Sequence, residues 1–141
     1  MANKERIQLL VDALKSGEFT QGKGYLAQIE DGELVHCCLG VACVVAQRNG
    51  LDLSSELNAS GLIIFDEDND TELPLSVSEW YGFDASPHRF NPVVGHNEFT
   101  DEITATNAND DLNWNFEKIA EGFKKTYIGV EEAPNTEKSI R

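Results

Sequence analysis

The chain has 141 residues, 40% of them hydrophobic and 26% charged, and its formal charge is −14. That length suits a single domain with a core of its own, and the balance is globular, not disordered. No run of about 18 apolar residues is present, which excludes a membrane-spanning helix, and the charge argues against direct contact with nucleic acid or an anionic membrane.

The first six residues lack the apolar centre of a signal peptide, so a cytoplasmic location is expected. Ile7, Leu10, Val11 and Leu14 recur at i, i+3, i+4 and i+7. They predict an amphipathic helix, with Asn3 as its cap and Gly17 as its stop. Gln21-Gly22-Lys23-Gly24 reads as a flexible entry to a hairpin. Residues 25–29 and 34–37 flank Glu30-Asp31-Gly32-Glu33, and Asp-Gly is a tight-turn signal, so a β-hairpin is expected. Residues 38–47 are apolar almost all round, as in a helix at the centre of a core. Arg48-Asn49-Gly50 supplies a cationic last turn and a glycine stop.

Residues 61–65 read as a buried strand running into an acidic turn, Asp66-Glu67-Asp68-Asn69-Asp70. Ser76 and Glu79 have the spacing of a capping box, which predicts a short helix carrying Val77, Trp80 and Tyr81 and closed by Gly82. Pro87, Pro92 and Gly95 break the next segment, and residues 90–94 suit an edge strand. Phe116, Ile119, Ala120, Phe123 and Tyr127 predict a final amphipathic helix capped by Asn113 or Asn115. The expectation is an α+β protein. One compact domain over residues 1–130 would combine an N-terminal helix, a β-hairpin, a buried central helix, a small antiparallel sheet and a C-terminal amphipathic helix. Residues 131–141 would form a flexible tail.

Several short motifs come one after another in a set order. Ser16-Gly17-Glu18-Phe19-Thr20-Gln21-Gly22 is first, then Cys37-Cys38-Leu39-Gly40-Val41. Leu73-Pro74 then lies ahead of Val77 and Trp80, and Asn109-Asp110 ahead of Phe116-Glu117-Lys118-Ile119-Ala120. The ordered set, over roughly residues 5–125, resembles a group of small proteins encoded by tailed bacteriophages. The likeness departs at Ala105, where that group usually has leucine. It implies a phage or prophage origin and implies no reaction.

Three cysteines, Cys37, Cys38 and Cys43, lie close together in an apolar run. The odd count and the run argue against a disulfide framework and for a reducing compartment. Cys37 or Cys38 at a helix N-terminus would have a lowered pKa, with His96 or His88 as base and Asn97, Asn107 or Asp110 as orienter, as in a cysteine hydrolase or transferase. The competing reading of the same residues is buried packing. Zinc is not expected, because the cysteine spacing is wrong for it. Asp66, Asp68 and Asp70 imitate the start of a calcium loop, but Thr71 and Val77 stand where glycine and glutamate belong. No phosphate loop or dinucleotide fingerprint is present, and no cofactor or metal is expected.

The candidate ligand-binding residues are Lys23, Tyr25, Asn109, Asp110 and Trp114: a cation and an aromatic beside flexible glycines, and polar side chains just ahead of a tryptophan. Turn and cap chemistry at the entry to the last helix is the favoured reading of Asn109-Asp110 itself. Between residues 49 and 117 fifteen acids meet one base, Arg89. The expected function is a non-enzymatic phage accessory protein that binds and blunts a host component, either a host protein or a small signalling metabolite. Self-association into a homo-oligomer is left open. The alternatives are the cysteine hydrolase or transferase and an acidic mimic of nucleic acid.

Overall fold

A computed structural model describes residues 2–84 and 87–129. Helix α1 spans Lys4–Lys15. Asn3 caps it, its side chain accepting the Arg6 amide at 3.1 Å, and this satisfies one of the donors a helix start leaves open. The face made by Ile7, Leu10, Val11 and Leu14 is buried. Strands β1 (Ala27–Glu30) and β2 (Glu33–His36) form an antiparallel hairpin. Its turn residues Asp31 and Gly32 both take positive φ, 53° and 81°, which matches the right-handed twist of the strands.

Helix α2 (Cys38–Arg48) runs through the middle of the molecule, with eight of its residues buried. It lies so close to the hairpin that a Cβ on Gly40 would stand 1.7 Å from the Leu26 carbonyl oxygen. Only glycine permits that approach. Strands β3 (Ser55–Leu57) and β4 (Ile63–Phe65) pair antiparallel, as do β5 (Val93–His96) and β6 (Glu102–Thr104). Helix α3 spans Leu75–Tyr81, and α4 spans Phe116–Phe123 and continues into a π-helical turn, Lys124–Ile128. Helix α1 packs on α4 and α2, and one hydrophobic cluster reaches from Ile7 to Phe123. Tyr81 is fully buried within it, its hydroxyl donating to the Ala42 carbonyl of α2 at 2.7 Å.

The protein is α+β, and the local details depart from expectation in four places. The small sheet is three separate two-stranded ladders. The strand at 61–65 is half-buried except at Phe65, and it pairs with β3, whose polar sequence gave no alternation to read. The edge strand lies at Val93–His96 and not at 90–94, because Pro92 lacks the amide that would extend it. The capping box at Ser76 and Glu79 does not form. Pro74 occupies the cap position, α3 begins at Leu75, and Ser76 Oγ is buried without a hydrogen-bond partner. The tail at 131–141 lies outside the described residues.

Candidate functional site

The polar centre of the fold is Asn109. It sits in a π-helical turn, Asn107–Asp111, and is fully buried, 0% exposed. Its Oδ1 accepts the Gln21 Nε2 donor at 2.8 Å and the Cys38 amide at 3.3 Å. Its Nδ2 donates to the Gly22 carbonyl at 2.8 Å and to Asp110 Oδ1 at 2.8 Å. Gln21 Nε2 also donates to the Trp114 carbonyl at 2.8 Å. Segments 21–22, 37–38 and 109–114 are therefore clasped by one amide whose hydrogen-bonding capacity is used in full. The reading of Asn109 as local turn and cap chemistry is corrected, since its Oδ1 accepts from Gln21 and Cys38, both far from it in the chain. Asn115 caps α4 by accepting the Lys118 amide at 2.8 Å, while Asn109 reaches across the fold to serve the first turn of α2. Gly22 is likewise no flexible entry, since it is buried and both of its backbone polar groups are bonded.

The thiols do not have the character a nucleophile needs. Burial pushes Cys37 up from 9.0 to about 11, outweighing the Gly40 and Leu39 amides that pull it down. Burial raises Cys38 and Cys43 well above the ordinary value, and the neighbouring Cys37 adds to the effect in both. The lowered pKa expected at the N-terminus of α2 is thus reversed, because the dipole acts on a site from which water is excluded. Cys38 Sγ lies 3.6 Å from the Ala105 carbonyl. His96 is exposed at the end of β5, and no hydrogen bond joins it to either thiol among the described residues. His88 Nε2 lies 2.7 Å from Glu102 Oε1. Among the described residues no three His, Cys, Asp or Glu side chains are placed to hold a metal ion.

Three of the five predicted ligand-binding residues meet in one cleft. Lys23, Asn109 and Trp114 line a space of about 200 Å³ together with Gln21, Asn113 and Asn115. Lys23 Nζ donates to Asn113 Oδ1, and Lys118 Nζ lies 4.5 Å from the centre of the Trp114 ring. Tyr25 and Asp110 do not line it.

A larger groove, about 420 Å³, is lined by residues that sequence reasoning passed over: Glu18, Phe19, Thr20, Glu33, Leu34, His36, Val44 and Arg48. The segment before Gln21 is pinned along β2, since the His36 amide donates to the Thr20 carbonyl at 2.9 Å and the Gly22 amide donates to the His36 carbonyl at 2.7 Å. Phe19 meets the His36 ring edge-on at 5.1 Å, and the Arg48 guanidinium lies 5.3 Å from the centre of the Phe19 ring. Arg48 grips both oxygens of Glu18, its Nη1 at 3.0 Å from Oε1 and its Nη2 on Oε2. That pairing holds Glu18 below and Arg48 above their ordinary values. His36 is 8% exposed, and its Nδ1 is buried without a partner. Burial, and then Arg48, lower its pKa, with Glu18 opposing, so the ring is neutral near pH 7. The one signal available in the sequence was the i, i+4 spacing of Val44 and Arg48, which puts both on one face of α2.

Fold and site together describe an α+β protein whose ordered motifs close its own interior and whose surface carries a cleft and a groove. The chain belongs to the family described as a domain of unknown function, DUF8296, which matches residues 2–127. No curated protein and no solved structure matches the chain. No helix among the described residues is long and apolar enough to cross a membrane.

Proposed function

We propose that the chain is a phage-encoded acidic accessory protein that acts without catalysis, binding a basic face of a host protein in the host cytoplasm and so blunting it. One observation carries this reading: the distribution of unneutralised charge. Asp52, Glu56, Asp66, Glu67, Asp68 and Glu72 are exposed, and among the described residues no acid between 49 and 117 pairs with a lysine or arginine, Glu102 alone lying against a histidine, His88. A field of one sign steers a partner of the opposite sign and speeds its docking. The buried, high-pKa thiols support a role without nucleophilic chemistry. Expression in a bacterial host should change phage plating or host growth. A variant carrying Asp52→Asn, Glu56→Gln, Asp66→Asn, Glu67→Gln and Asp68→Asn should fold and lose the effect. Unchanged plating and growth with the unmodified chain would overturn the reading.

A second reading, capture of a small signalling metabolite, draws on the cleft in which Lys23 and Trp114 meet. Native mass spectrometry of protein drawn from host lysate should then show a discrete added mass, and Lys23→Met should remove it. A bare protein would dismiss this reading.

A further inference from the structure

We infer that the groove between the Glu18–Thr20 segment, β2 and α2 receives an arginine side chain of a protein partner. The inference rests on the basic-partner reading and goes beyond it, adding a contact outside the acidic stretch at 49–117 and naming the side chain it takes.

The walls set the size and polarity of the guest. Phe19, Leu34 and Val44 make an apolar lining fit for an aliphatic stem, and the space of about 420 Å³ has room for a long side chain. The charged groups set its sign. Two carboxylates and one guanidinium border the groove, and the neutral His36 adds no positive charge. Arg48 is occupied by both oxygens of Glu18. Glu33 is placed differently: its Oε2 accepts Thr20 Oγ1 at 2.9 Å, and its Oε1 makes no hydrogen bond among the described residues. An incoming cation therefore finds a carboxylate oxygen without a competing donor, whereas an incoming anion finds the groove's cation taken and a chain of charge −14 around it. A guanidinium suits this apolar-walled place better than an ammonium, because it sheds water at lower cost.

The surface beside the groove extends the same argument to a peptide. Leu34 lines the groove and stands opposite Ile29 in the hairpin register, and the two are 45% and 42% exposed. A directly opposed apolar pair left bare next to a carboxylate suits a segment that offers arginine followed by an apolar residue.

The test is an NMR titration of the full chain with N-acetyl-arginine amide and with an Arg-Leu-Arg peptide, and N-acetyl-glutamate amide as the contrasting probe. The expected result is saturable shifts at the Phe19, Leu34 and His36 amides with the arginine probes and none with the glutamate probe. Glu33→Gln should weaken arginine binding by roughly threefold, the weight of one half-exposed ion pair, and high salt should weaken it further. Asp12→Asn, a change on the exposed face of α1, should leave it unaltered. Equal responses to arginine and glutamate, or identical affinities for the unmodified chain and Glu33→Gln, would overturn the assignment. The two readings fail separately. Arginine binding without a plating effect sinks only the host-partner role, and a plating effect without arginine binding sinks only the groove.

Discussion

Asn109 joins three segments that are far apart in the chain, and two of its four hydrogen bonds, to the Cys38 amide and the Gly22 carbonyl, are buried. Truncation to alanine would strand the Cys38 amide and the Gly22 carbonyl in the interior. Orphaned buried groups cost about 1–3 kcal/mol each, so Asn109→Ala should lower stability by about 3 kcal/mol, measured by urea unfolding at an unchanged slope. Asn109→Asp should cost more, since a carboxylate would lose the donor to Gly22 and face Asp110. The thiols give a second check at this scale. With Cys37 held near 11 and Cys38 and Cys43 raised well above the ordinary thiol value by burial, iodoacetamide at pH 8 should label the native protein slowly and label all three cysteines only as the chain unfolds. One cysteine that reacts fast in the native state would contradict their burial.

At the scale of elements, the packing of α2 against the hairpin is the tightest contact. Gly40→Ala places a methyl group within 1.7 Å of the Leu26 carbonyl oxygen, and the methyl is fixed to the helix backbone while the oxygen is itself backbone, so neither can rotate aside. Overpacking of this kind costs about 1–3 kcal/mol, or more where relief needs a backbone shift. The variant should melt well below the unmodified protein or fail to fold, and Gly50→Ala is no substitute control because Gly50 has a φ of 103°. A helix-favouring exchange on the exposed face of α1, Asp12→Ala, is the better control, with an effect near zero.

For the whole molecule, charge and burial set the response to pH and salt. Cys37 and Tyr127 are raised by burial, to about 11 and about 12, so the unfolded chain gives up these protons first. Their stabilising contribution is intact below about pH 9 and is lost as pH climbs through about 9–12. His36 works from the other side. Its lowered pKa means the unfolded chain takes up the proton more readily, so its contribution is present above about pH 6.5 and declines as pH falls below that. Thermal melts across pH should therefore show a plateau between these limits. Added salt should raise the melting temperature, because a chain at −14 repels itself and ions screen that repulsion.

Local order was legible in the residues. The 3.6-residue periods of α1 and α4, their asparagine caps, the Asp31-Gly32 turn and the all-round apolar α2 depend on neighbours within a few positions, and the same short-range physics acts in the finished fold. The sequence by itself also determined the charge and its crowding between residues 49 and 117. Where a decision needed contacts from far along the chain, only the tertiary structure made it. Ser76 and Glu79 have a capping-box spacing, yet Pro74 took the cap position. Asn109 reads as turn chemistry bonding to its own neighbours, yet its side chain serves a helix that begins 71 positions earlier. A helix N-terminus promised reactive thiols, but burial, which no local window reveals, outweighed the dipole. The groove was the least visible feature, because Glu18, Glu33, His36 and Arg48 have no shared period and meet only after the hairpin has folded onto α2.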